Sequence, residues 1–168
     1  AKSVGEKGGV LDVLHDYRDQ GVIRYIGFSG HRSGEGMKYA AESYDFDTML
    51  IAMNHWVQWD ESPEKQAIPA AGNKGLGIIA MKVIRPMDTI ENLEADRLIR
   101  YALSLEHIST AVIGMDSLEL LRQNIQTIEN FTPLGPEEMR QMRTALAPYY
   151  RHHHLEWMQP GYVDGQYT

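Results

Sequence analysis

The chain has no cysteine among its 168 residues. That excludes disulfides and thiolate metal sites, and it fits a reducing compartment. It also lacks a basic excess: the formal net charge is -7, which argues against a general nucleic-acid or anionic-membrane surface, since both need a basic face. No apolar run approaches the ~20 residues of a membrane span. The opening Ala1-Lys2-Ser3-Val4-Gly5 has no apolar core and is not a signal peptide. Several motifs are missing as well. No P-loop, no G-x-S-x-G, no paired-carboxylate signature and no G-x-G-x-x-G following a strand can be found. These absences leave a cytoplasmic globular protein as the expectation, without membrane or nucleic-acid partners.

What is present is enough for a core. A hydrophobic content of 43% with 23% charged residues is that of an ordinary globular domain, and the length suits one domain or one piece of a larger one. Val10–Gln20 sets Val10, Leu11, Val13, Leu14 and Tyr17 on one helical face, and Gly21 closes it. Val22–Phe28 reads as a buried strand ending at Ser29-Gly30-His31. Glu35–Ser43 follows as a helix and Phe46–Asn54 as a second strand. Pro63–Lys74 predicts a helix closed by Gly75, and Leu76–Ile84 a third strand. Then come a helix over Leu93–Leu105, a strand over Ser109–Ile113, and helices over Ser117–Asn130 and Pro136–Leu146.

The strands begin near residues 22, 47, 77 and 109, so each unit takes about 25 to 32 residues. That is the unit size of a (β/α)8 barrel, where ~250 residues make eight units. The strands are almost wholly apolar, as expected of a parallel sheet covered by helices. A flavodoxin-like or Rossmann sheet would use the same alternation. Four parallel β/α units plus a C-terminal helix and tail amount to half of a TIM-type barrel over residues 1–147, with 148–168 as an aromatic and His-rich tail. Half a barrel leaves two unpaired strand edges and one bare face, so a partner is expected: a second copy or a missing half-barrel.

In such folds function collects where strands end. Those ends carry Ser29-Gly30-His31, Asn54-His55-Trp56, Lys82 with Arg85, and Gly114-Met115-Asp116. Lys82, in an apolar strand, would hold a phosphate or carboxylate, act as a reactive amine, pair with an acid, or snorkel to the rim. His31 and His55 suit acid–base or ligand roles and equally suit a satisfied rim position. Ser109–Asn124 runs from a strand through glycine into Asp116-Ser117 and a helix, a geometry that suits a phosphate with its backbone N–H groups and positive dipole end and equally suits an ordinary strand-to-helix turn. The His152-His153-His154 run points its rings in different directions, so a tail packing Tyr149, Tyr150 and Trp157 on the body is expected rather than a metal site. The nine methionines read as core.

Several stretches together resemble the C-terminal half of an aldo-keto reductase, strands five to eight of the barrel. GVIRYIGFSGH (21–31) is similar to that family's K-I-R-x-I-G-x-S segment. GLGIIAMKVI (75–84) resembles the seventh strand of the branch that carries A-M-K where better-known members carry A-Y-S. STAVIGMDSLELLRQN (109–124) resembles the eighth strand and cofactor loop, I-P-G followed by L-x-E-N, with the same ten-residue step from Gly114 to Asn124.

The resemblance implies NAD(P)H-dependent carbonyl reduction in a full-length context, with NADP or NAD as coenzyme and a small carbonyl substrate. It places Ser29 and Gly30 at the nicotinamide carboxamide and matches Asn54 to the asparagine ending the sixth strand. Lys82 falls within the same set of coenzyme contacts. Gly114, Met115, Asp116 and Ser117 would border the adenosine phosphates, and Asn124 the adenine. Leu50 and Met81 stand where many members have Gln and Tyr. Asp116 stands in a segment that usually supplies a cation for the 2′-phosphate. The family's catalytic Asp, Tyr, Lys and His come from its first four strands, and no D-T-A-x-x-Y-G stretch occurs here. No catalytic residue is therefore expected in this chain, and little turnover from it alone. The alternative is a non-enzymatic half-barrel that self-associates as a binding or structural module.

Overall fold

The computed structural model describes residues 5–31, 33–53, 59–84, 93–149 and 161. In chain order the elements are α1 (Val10–Asp19), β1 (Gly27–Gly30), α2 (Gly34–Ser43), β2 (Thr48–Ala52), α3 (Ala67–Asn73) and β3 (Gly77–Met81). They continue with α4 (Ala95–Leu103), β4 (Ile108–Ala111), α5 (Leu118–Glu129) and α6 (Pro136–Leu146). The four strands form one parallel sheet in the order β1-β2-β3-β4. This is the expected alternation of half a barrel. No helix among the described residues is long and apolar enough to cross a membrane.

Two helix ends follow directly from glycine. Gly21 and Gly75 take φ of 72° and 77°, the left-handed region that costs a side chain-bearing residue energy. At each, two backbone bonds close the helix: Gly21 N–H to Arg18 O and Val22 N–H to Tyr17 O, then Gly75 N–H to Gly72 O and Leu76 N–H to Ala71 O, all between 2.9 and 3.0 Å. That is the Schellman arrangement. Helix starts are set by side chains. Ser33 Oγ accepts from Gly36 N–H at 3.0 Å, and Glu138 reaches back to the Gly135 N–H at 2.9 Å.

The core lies on one side of the sheet. Met49, Ile51, Ile78 and Ala80 face Met37 and Ala41 of α2, Ala67, Ile68 and Ala71 of α3, and Leu98, Ile99 and Ala102 of α4. The α2 and α3 contributions are mostly alanine, which lets helices approach the sheet closely. α6 adds Met139, Met142 and Leu146, spaced three, then four residues apart on one helical face. Met37, Met49, Met53, Met139 and Met142 are core as expected, whereas Met115 is 56% exposed.

The strand over Val22–Phe28 is corrected to Gly27–Gly30. β1 pairs only with β2, and its ladder begins where Gly27 meets Thr48. Upstream residues have no strand to pair with, and Val22 and Tyr25 are 64% and 67% exposed. Ile26 is held instead by Asp47, whose carboxylate accepts the Ile26 N–H at 2.7 Å. The helix expected from Pro63 begins at Ala67, and the third strand ends at Met81 rather than Ile84.

The expected apolar face of α1 is also corrected. Only Leu11 is buried in it, while Val10, Val13 and Tyr17 lie open. α5 buries none of its residues, and Leu118, Leu120, Ile125 and Ile128 are exposed. These helices precede β1 and follow β4, the two edge strands, and among the described residues no further strand pairs beyond those edges.

A polar cluster ties α6 to α4. Tyr101, fully buried in α4, donates its hydroxyl to Glu64 Oε1 at 2.5 Å. Glu64 Oε2 accepts from Arg143 Nε of α6 at 3.3 Å. The Glu64 side chain is 7% exposed. Burial pushes its carboxyl above the usual carboxylate value, outweighing the Tyr101 hydrogen bond and the Arg143 charge that pull it down. The folded chain thus holds this proton more tightly than the unfolded chain. The contribution to stability is fully present below the ordinary value of 4.5 and is lost as pH climbs through the raised one. We expect the wild type to lose ground to Glu64→Gln as pH rises from acidic to neutral, measured as the difference in urea midpoints. A constant difference would show that Glu64 titrates alike in both states.

Candidate functional site

A cleft of about 1000 Å3 opens beyond the ends of β3 and β4, between the start of α4 and one face of α5. Its floor is built from strand ends. β4 stops at Ala111, and Val112 N–H still bonds Ala80 O at 2.8 Å. Beyond this last ladder bond the chain leaves the sheet through Gly114 toward α5. Ser117 then starts the helix: its backbone is extended, and its Oγ accepts from Leu120 N–H at 3.1 Å. The N-terminal end of α5, with its positive dipole, therefore borders the cleft.

The loop is folded back on itself. Asn124, one turn and a half into α5, donates from Nδ2 to Gly114 O at 3.3 Å. The φ of Gly114 lies outside the left-handed region, and among the described residues a Cβ placed on it would meet nothing within 4 Å. Neither chain conformation nor protein packing requires glycine here. A side chain there would enter open space at the edge of the cleft. Met115 and Asp116 are exposed beside it.

Lys82 is not inside the third strand. It follows Met81 with φ of 56°, left-handed for a side chain-bearing residue, and such backbones are uncommon outside glycine, asparagine and aspartate. It is exposed at the cleft rim, rather than enclosed in apolar surroundings as a reactive amine would need. Among the described residues the charged lining comprises Lys82 and Arg100 against Glu94, Asp96 and Asp116. Arg100 is engaged, donating from Nε and Nη2 to Thr132 O at 3.3 and 3.1 Å.

Of the sequence-predicted residues, the structure brings together Lys82, Gly114, Met115, Asp116 and Asn124 around one cleft, with Ser117 capping the helix beside it. Ser29 and Gly30 are elsewhere. Ser29 is in register with Leu50, Ile79 and Thr110 across the sheet, three ladders or about 14 Å from β4. It is exposed on the face opposite the helices. Gly30 turns the other way, where a Cβ would run into Met37 of α2, so packing accounts for that glycine. Asn54, His55, Trp56, Arg85, Tyr150, Trp157 and His152-His153-His154 lie outside the described residues. Among the described residues no cluster suited to a metal ion occurs.

Sequence reasoning missed the wall that α5 provides. Leu120, Gln123, Asn124, Thr127 and Asn130 line the cleft, at steps of three and four residues that mark one helical face. The spacing of Gln123, Asn124, Thr127 and Asn130 is the signal that marks this wall in the sequence.

Comparison with known proteins bears on the fold. No family model matches the sequence, and no curated protein does. Among solved structures, the chain is similar to the holo form of aldo-keto reductase AKR11C1 from Bacillus halodurans, with a TM-score of 0.67 and 17% identity over 89% of this chain. The apo form of that enzyme gives a TM-score of 0.64 at 18% identity over 85%. A thermostable aldo-keto reductase, Tm1743, in complex with the inhibitor epalrestat, gives 0.62 at 16% over 80%. The chain spans between 53% and 59% of the length of those structures. Four parallel strands alternating with helices, matched over most of their length, give this chain the fold of part of an aldo-keto reductase (β/α)8 barrel.

Proposed function

We propose that the chain is the coenzyme-binding half of an aldo-keto reductase-like barrel, and that its cleft takes a nicotinamide dinucleotide. The observation that carries this is the side chain-free surface at Gly114, set between the α5 N-terminus and a cleft of about 1000 Å3. Backbone glycine beside a helix start is how a phosphate comes close to a chain. Lys82, which lines the same cleft at the end of β3, supplies a cation for the diphosphate, and the amide-bearing face of α5 supplies partners for adenosine. Ser29, on the bare face, suits the carboxamide end of an extended dinucleotide.

When bound, such a coenzyme supplies a hydride for a small carbonyl substrate. The chain's own residues bind and orient it. The proton donor and its supporting groups come from outside this chain, which accordingly turns over little by itself. Titrating the 168-residue chain with NADH and NADPH, followed by nicotinamide fluorescence, tests the reading. Saturable binding of either is expected, and binding of neither overturns it. Robust carbonyl turnover by the chain alone would overturn the division of labour.

A second reading draws on the exposed edges. Val10, Val13, Tyr17, Val22 and Tyr25 are open on the β1 side, and Val112, Leu118, Ile125 and Ile128 on the β4 side. Because all strands are parallel, β4 of one copy set beside β1 of a second continues the sheet, and a twofold rotation closes both seams. On this reading the chain is a self-associating module. A folded monomer at micromolar concentration in sedimentation velocity rules it out.

A further inference from the structure

We propose that a second copy of this chain closes the sheet into an eight-stranded ring, with an apolar stripe of α5 from one copy packed on an apolar stripe of α1 from the other. The inference rests on the self-association reading above and adds to it the contact surfaces and the number of copies.

α5 has two faces of different chemistry. The residues that line the cleft stand on the side turned toward α4. Leu118, Leu121, Ile125 and Ile128 recur at steps of three and four on the opposite side of the helix. Leu118, Ile125 and Ile128 are exposed and Leu121 is half-buried. A stripe of this kind belongs against another apolar surface, yet α5 buries none of its residues. At the start of the chain, Val10, Val13 and Tyr17 form a second exposed stripe on α1, beside the Leu11 that does reach the core. Val22 and Tyr25 extend it along the run into β1.

Topology and area name the occupant. The sheet is parallel throughout and keeps sequence order, so a β4 edge continues into a β1 edge, and the chain carries one of each. Four strands with the fold of part of a (β/α)8 barrel sweep half a ring. A twofold rotation therefore closes two copies and leaves no edge for a third. Each copy gives its α5 stripe to one seam and its α1 stripe to the other. A Val, Leu or Ile side chain buries on the order of 60–120 Å2 and a tyrosine more, so the exposed apolar residues of both edges in two copies offer roughly 1,000 Å2. A specific interface needs about that much, and the strand edges add to it. The bare faces, each with Leu50, Ile79 and Met81 partly buried, meet inside the ring. The seam lies on the side of α5 away from the cleft, so the coenzyme reading stands or falls separately.

The absence of cysteine makes engineered thiols unambiguous. Val13→Cys and Ile125→Cys are produced separately and co-expressed, then treated with a short bismaleimide. A covalent dimer is expected from the co-expressed pair and not from either variant alone. Both substitutions in one chain are expected to give dimers closed by two links and nothing longer. Sedimentation velocity of the wild type is expected to show dimers at micromolar concentration, and Ile125→Asp monomers with an unchanged circular dichroism spectrum. Linking of either variant to itself, a ladder of longer species from the doubly substituted chain, or a dimer that Ile125→Asp leaves intact would overturn the inference while self-association stands. A folded wild-type monomer overturns both.

Discussion

Tyr101→Ala is expected to destabilise the chain by about 4 kcal/mol, a large share of the stability of a domain this size. Tyr101 is fully buried, so its removal opens a cavity under α4 as large as the ring. The loss does not end with the ring. Its hydroxyl serves Glu64, and Glu64 anchors Arg143 of α6, so the variant leaves a buried carboxyl short of a partner. Tyr101→Phe separates the two effects. It keeps the ring and removes only the hydrogen bond, so about 1–2 kcal/mol is expected. Urea unfolding followed by circular dichroism reads both. A Tyr101→Phe variant as unstable as Tyr101→Ala would show that the polar cluster, and not the packing, holds α6 to the body.

Gly114→Val is expected to leave stability within about 0.5 kcal/mol of the wild type, yet to weaken dinucleotide binding about a hundredfold, or about 2.8 kcal/mol. The asymmetry follows from where the new side chain goes. Among the described residues nothing lies within 4 Å of a Cβ at that position, so the fold accommodates it. A phosphate approaching the α5 start does not. Equilibrium binding of NADH to both proteins decides it. Unchanged affinity would place the coenzyme elsewhere, and a collapse in stability would mean that glycine serves the loop itself.

Local chemistry was legible in the sequence, and pairing was not. Gly21 and Gly75 close helices as expected because the requirement is a single residue's φ. Ser117 caps α5 and Pro136 opens α6 for reasons confined to one turn. The strand over Val22–Phe28 failed because apolar character does not say where a partner strand begins. Here the ladder waits for Thr48, and the strand ends up as Gly27–Gly30. The apolar face of α1 failed for the same reason at larger scale, since burial of Val10, Val13 and Tyr17 needs a neighbour that the helix's own sequence does not specify.

The Glu64 cluster gave no signal at all. Its partners lie 37 and 79 residues away in sequence, and Glu64 itself sits in the first turn of the helix expected from Pro63, where an acidic residue is ordinary. In the candidate site, the ten-residue step from Gly114 to Asn124 was readable, and it proves to be a hydrogen bond. The exposure of Lys82 and its left-handed backbone were not readable, because a lysine after two apolar strand residues looks like one more strand position.

α5 buries none of its side chains, which has a kinetic meaning. Elements open to solvent at a free energy set by the apolar area they bury, so β2 and β3 exchange their amide hydrogens last and α5 first. Ser117 and Asn124 hold its start, with little packing behind them. A molecule that bridges Gly114 and the face of α5 therefore has a loosely held helix to tighten. Its arrival is written in time as much as in contacts, as slowed hydrogen exchange along residues 118–129 while the sheet keeps its pace.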